Sequence, residues 1–162
     1  MSITLTTKRR HVMQMCTREG DKMKLEVELI PRSSFFTNLR SELSKEKWDV
    51  LRKKCYSNAG YRCEICSGKG EDWPVECHEV WSYKGGIQKL MRLIALCPAC
   101  HMVKHFGLAK LQGNGDKALT HLMTVNKISK QAAEAHISEA FETWHDRNQV
   151  NWILDISSIE EK

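Results

Sequence analysis

Apolar and polar residues alternate over residues 23–30. Met23, Leu25, Val27 and Leu29 fall on one side, and Lys24, Glu26 and Glu28 on the other. A period of two predicts a half-buried strand, which Pro31 ends. Further along, the period lengthens. Ser44 followed by Lys45, Glu46 and Lys47 marks a helix start, with Trp48, Leu51 and Cys55 on one side and Asn58-Ala59-Gly60 as its close. Residues 61–68 read as a short knuckle. Residues 75–81 and 92–97 read as strands on either side of a loop that contains Gly85-Gly86. Pro98 stands at the first position of a helix, where its missing N–H costs nothing, and that helix is predicted to run through Lys110. A second loop leads to helices over 116–126 and 129–148. In the latter, Ala133, Ile137, Ala140, Phe141 and Trp144 form an apolar stripe at helical spacing, read as core. Residues 152–157 alternate again and are expected to pair with 23–30.

This order of elements predicts a single α+β domain, mostly helical, with short strands near both ends. Residues 1–44 form an N-terminal arm and strand, 45–112 a central unit, and 113–162 the last helices and final strand. A chain of 162 residues can bury a core without staples, and 41% hydrophobic with 28% charged residues excludes disorder as its dominant state. No apolar run approaches a membrane span, and MSITLTTKRR lacks a signal-peptide core, so a cytoplasmic protein without a membrane partner is expected.

Charge and cysteine change the picture. The net charge is +5, unevenly placed: +3 over 1–39, +5 over 40–112 and −3 over 113–162. A basic middle suits an anionic partner, although a solvated Lys/Arg face accounts for it equally well. Seven cysteines without a secretion signal argue against a disulfide scaffold and turn attention to metal.

Their spacing supports metal. Cys63 and Cys66 form one CxxC, and Cys97 and Cys100 a second, across a strand-loop-strand segment. Each CxxC turn aims two thiolates at one locus, and two such turns complete a tetrahedron around a structural zinc. That site is closed and does no catalysis. His78, His101 and His105 lie in the same stretch. His101 and His105 share one helical face, and His78 lies on the strand expected to pack there. Three neutral imidazoles suit a second ion: zinc, nickel or cobalt, or magnesium or manganese with more carboxylate help. Cys16 and Cys55 read as spare thiols. His11, His121, His136 and His145 read as ordinary surface or core residues, and Trp81 as the one tryptophan near enough to touch a ligand.

Residues 63–105, with CEIC, ECHEVW and RLIALCPACHMVKH, resemble the zinc-knuckle HNH endonucleases. Both CxxC pairs, the Cys100-His101 step and His105 match that family in order and spacing. The resemblance implies a ββα-metal finger, in which a hairpin and a helix grip one catalytic divalent ion. It implies hydrolysis of phosphodiester bonds in DNA, with RNA not excluded. Two positions depart from the pattern. Arg92 stands where the family usually has asparagine, and Cys77-His78-Glu79 replaces the usual ligand and base histidine. Two registers stay open. In the favoured one, His78, His101 and His105 hold the ion and Glu79 takes the base position. In the other, His78 is the base and Cys77 a ligand. Regular pleating points Glu79 away from His78, so Glu79 needs a bulge or strand end nearby, or else Glu76 takes the role. Some three-histidine relatives, the colicin nucleases, carry a glutamate at the position of Glu76.

The expected catalytic set is thus His78, Glu79, Glu76 and Arg92, with Lys89, Arg92 and Lys104 as candidates for phosphate contacts. The competing expectation is a zinc-stabilised HNH-like module with lost catalysis, which binds nucleic acid or a protein partner. Redox chemistry by the CxxC pairs is a third, weaker reading.

Overall fold

The computed structural model describes residues 23–159. The cysteine and histidine of 1–22, Cys16 and His11, lie outside them. After a turn of 3-10 helix (Arg32–Ser34) come α1 (Leu39–Glu42), α2 (Lys45–Asn58), β1 (Glu76–Lys84) and β2 (Ile87–Leu96). Then follow α3 (Pro98–Lys104), α4 (Phe106–Leu111), α5 (Gly115–Asn126), α6 (Lys130–Arg147), β3 (Ile153–Asp155) and a last 3-10 turn. Among the described residues the fold is α+β, with six helices and one three-stranded sheet of order β1-β2-β3. Among the described residues no helix is long and apolar enough to cross a membrane.

Local chemistry explains several boundaries. The Ser44 hydroxyl accepts the Lys47 N–H at 3.2 Å and so caps α2. Gly60, with φ of +58°, supplies the left-handed turn that ends it. Pro98 occupies the first turn of α3 behind the cap residue Cys97.

The hairpin is longer than the sequence pattern predicts. Its connection is only Gly85-Gly86, both at positive φ, so residues 82–84 and 87–91 belong to strands. Two positive-φ residues in a row make the turn whose twist matches the flanking strands. Pairing is regular from Glu76↔Leu96 to Val80↔Arg92, then shifts to Trp81↔Leu90, which leaves Met91 as the extra residue of a bulge.

Both faces of the hairpin are covered. His78 and Ile94 face the main core, where Leu96, Val103, Phe106, Ala118, Leu122 and Ala133 meet Leu25 and Val27. On the other face Cys77 and Leu93 pack against Cys55, Val75 and Ala95. The main cluster draws residues from all three predicted stretches of chain.

Residues 23–30 do bury alternate side chains, Leu25 and Val27, but they are not a strand. Side chains of helices take the place of a neighbouring strand. Asn126 Oδ1 accepts from the N–H groups of Lys24 and Leu25, and Asn126 Nδ2 donates to the Leu25 carbonyl. His136 Nε2 accepts the Val27 N–H at 2.9 Å. Trp144 Nε1 donates to the Ile30 carbonyl. Backbone groups near a core must be paired, and here they are paired without a ladder. The expected pairing of 152–157 with this segment is replaced by a parallel pairing of β3 with the start of β2, Ile87↔Ile153 to Lys89↔Asp155.

Candidate metal centre

The knuckle, β2 and α3 bring four sulfurs together. Ligand atoms of Cys63, Cys66, Cys97 and Cys100 all lie within 4.8 Å of one another, and Cys66 Sγ is 3.6 Å from Cys97 Sγ. Four thiolates at a zinc–sulfur distance of about 2.3 Å sit about 3.8 Å apart in a tetrahedron. The turn also donates backbone N–H groups to sulfur, from Gly68 to Cys66 and from Cys100 to Cys97. Ser67 turns the first CxxC at a φ of +63°. Hydrogen bonds from Cys100 and Cys97 push the Cys63 thiol well below its ordinary range, whereas the hydrogen bonds with Cys63 and Cys97, and then burial, push Cys100 up. One negative charge among four packed sulfurs opposes the next. A cation removes that conflict, so the cluster fits a structural zinc. His121 Nε2 also stands 3.2 Å from Cys100 Sγ, tying α5 to the cluster.

The second group is built from β1 and the α3–α4 junction. The helix expected to run through Lys110 breaks at His105, which has φ −96° and ψ 44°. Across the break the imidazoles of His101 and His105 stay together, with Nε2 atoms 3.1 Å apart. His78 comes in from β1 with its side chain 1% exposed. The three ring centroids are 4.7–5.2 Å apart and meet edge to face.

Carboxylates orient two of these rings. Glu76 Oε2 accepts from His101 Nδ1, which turns Nε2 of that ring toward His105. Glu28 Oε2 lies 3.3 Å from His78 Nε2. The remaining nitrogen of that ring, His78 Nδ1, is buried and has no hydrogen-bond partner. A buried polar atom left alone costs about 1–3 kcal/mol. Metal-ligating histidines commonly donate their other N–H to a carboxylate, and His78 and His101 have that arrangement. Burial pushes His105 down to about 3, with His78 and His101 adding to the shift, so the ring is neutral at physiological pH, as a ligand must be. The donor set therefore fits a divalent ion.

Glu28 was not singled out by its sequence position, where alternation assigns it to the solvent side. Burial raises its pKa, but hydrogen bonds and charge from His78 and Lys104 outweigh that and hold it at about 2. Lys104 donates to Glu28 Oε1 at 2.6 Å, and its side chain is 6% exposed. It is therefore an internal counter-ion, and the expectation of a phosphate contact at Lys104 does not hold. Glu79 is displaced as well. The bulge comes after it, so Glu79 stays with Cys77 on the α2 face, away from His78. Glu76 is the β1 carboxylate at the cluster, and hydrogen bonds from His101 and Trp73, set against burial, keep its pKa low. Arg92 remains exposed and pairs with Glu64 at 2.8 Å. Lys89 is exposed near β3, 3.8 Å from Asp155. It pairs with Ser82, four residues along β1 from His78, or about 14 Å along the strand. Trp81 lines a cavity of about 330 Å³ with Glu28, Tyr83, His136 and Arg147.

No family model, curated protein or solved structure matches this chain.

Proposed function

We propose that the chain is an HNH-type, metal-dependent endonuclease that hydrolyses phosphodiester bonds in DNA. The observation that carries this reading is the meeting of His78, His101 and His105 on a hairpin and the helix after it, beside four clustered cysteines. An ion held there supplies Lewis acidity to a phosphate oxygen and to the departing oxygen. With three imidazoles and no carboxylate among the donors, zinc, nickel or cobalt suit the site better than magnesium or manganese.

The chain's own groups then have separable roles. Glu28 and Glu76 hold the outer nitrogens of His78 and His101 and fix which nitrogen faces inward. In this reading Glu76 also orients the attacking water. Arg92, exposed beside Glu64, is the candidate for a phosphate contact. Plasmid nicking with magnesium, manganese, nickel, cobalt or zinc tests the proposal. Cleavage that disappears in His78→Ala and His101→Ala supports it, and no cleavage with any ion removes it.

The position of Glu79 favours a second reading, a zinc-stabilised module that binds nucleic acid or a protein without cutting. In that reading the histidine cluster binds an ion, and DNA is bound but left intact.

A further inference from the structure

One carboxylate joins the histidine cluster to an aromatic groove. Trp73 Nε1 donates to Glu76 Oε1 at 2.9 Å, and the other oxygen of Glu76 takes the His101 N–H. The groove runs from there between α2, the knuckle and the loop before β1. It encloses about 380 Å³ and is lined by Arg52, Tyr56, Tyr61, Trp73, Pro74 and Val75. Tyr61 is 49% and Trp73 50% exposed, so neither ring is committed to the core. The Trp73 indole is nonetheless tethered by its bond to Glu76. The loop beneath it is closed by the Gly70 N–H, which donates to the Pro74 carbonyl at 3.0 Å.

We propose that this groove is a subsite for an unpaired nucleobase of the strand whose phosphate lies at the histidine cluster. The subsite deepens the nuclease reading and rests on it. Two half-exposed rings, Tyr61 and Trp73, with Arg52 in the same wall, offer stacking surface to any base, and such platforms are how proteins take hold of single strands. Charge on the adjoining helix agrees with this occupant. α2 carries five basic and two acidic side chains, and Arg52 is both part of it and part of the groove wall. A duplex keeps its bases stacked inside and offers none to this groove. The substrate class is therefore nucleic acid with at least one base unpaired or flipped out next to the cleaved bond.

The test is fluorescence anisotropy with a labelled twelve-nucleotide oligo(dT) and with a duplex of the same length, on zinc-loaded full chain. The variants are Trp73→Leu, which keeps apolar volume, and Tyr61→Gly. Tyr61 has φ +55°, which glycine adopts without strain, so this change removes a ring and relieves the backbone. Each variant is expected to weaken oligo(dT) binding by about fivefold to 150-fold, with Trp73→Phe recovering most of the loss. Zinc content, far-ultraviolet circular dichroism and duplex binding are expected to stay as in the parent. Equal oligo(dT) affinity in parent and variants, or equal loss on oligo and duplex, overturns the subsite. Plasmid nicking by the same preparations keeps the two proposals apart. Nicking by the parent with unchanged oligo(dT) binding in the variants sinks the groove and keeps the nuclease. Ring-dependent oligo(dT) binding without nicking under any ion keeps the groove and sinks the nuclease.

Discussion

Glu28 and His78 are fifty positions apart in sequence and meet at 3.3 Å, carboxylate oxygen to Nε2. The other ring nitrogen, Nδ1, is buried without a hydrogen-bond partner, and the ring lies 5.2 and 5.0 Å from those of His101 and His105. The contact with Glu28 makes the segment before Pro31 part of the candidate metal centre. The Glu28 N–H is held by the Lys104 carbonyl at 3.0 Å, and its carboxylate by the Lys104 ammonium. Lys104 is thus clamped one residue before His105.

Glu28→Gln is expected to act at two levels. Loss of the carboxylate behind His78 should weaken nickel or cobalt binding at the histidine cluster by about 10–100-fold. It also strands the Lys104 ammonium, which is nearly out of water. Breaking a buried pair costs about 3–5 kcal/mol, and the low end applies because Glu28 is partly solvated. Isothermal titration with nickel and urea melts would read the two effects separately.

The zinc knuckle makes a different prediction. A structural ion contributes its binding free energy to folding. A strong chelator, or Cys97→Ser, should therefore abolish the cooperative thermal transition followed by circular dichroism. His105→Ala should retain that transition and the zinc held by the cysteines. Unfolding that is insensitive to chelation would point to four buried thiols without an ion.

Acid should loosen the N-terminal segment through His136. Its neutral Nε2 accepts the Val27 N–H, and burial lowers its pKa from the ordinary value of about 6.5. The unfolded chain then binds more protons than the folded chain below that pH. The contribution is complete above about pH 6.5 and is lost as pH falls toward the lowered folded value. His136→Gln, whose amide oxygen can accept the same N–H, is expected to flatten the stability slope below about pH 6.5. Urea midpoints across that range check this. An unaltered slope would assign the acid sensitivity to other groups.

Two glycines should respond in opposite directions to alanine. A Cβ at Gly70 would lie 2.3 Å from the Trp73 carbonyl oxygen and 2.7 Å from Pro98 Cδ, so the loop and the start of α3 must part. A loss of about 1–3 kcal/mol is expected. A Cβ at Gly107, inside α4, meets only Leu29 Cδ2 at 3.5 Å. There alanine should gain about 0.5–1 kcal/mol by restricting the unfolded chain.

What could be read from sequence was what local spacing encodes. The two CxxC turns and the i, i+4 histidines define their own geometry, and Ser44 and Pro98 mark their helices by capping chemistry. The strands near the turn were hidden because Gln88 is fully buried while Ile87 and Met91 are exposed, which inverts the expected pattern. Leu25 and Val27 alternate as in a strand, yet their backbone partners are side chains more than a hundred positions away. Glu28 had no signal at all. An acidic residue on the polar side of an alternating segment looks solvated, and only the fold brings His78 and Lys104 against it.

Elemental analysis of the full chain after loading with zinc and then cobalt, beside His101→Ala, addresses the cysteine and histidine clusters together. The parent should hold two ions per chain. The variant should hold one, with unchanged circular dichroism and the cysteine-bound zinc in place. If the folded variant carries as many ions as the parent, the three imidazoles do not form a metal centre.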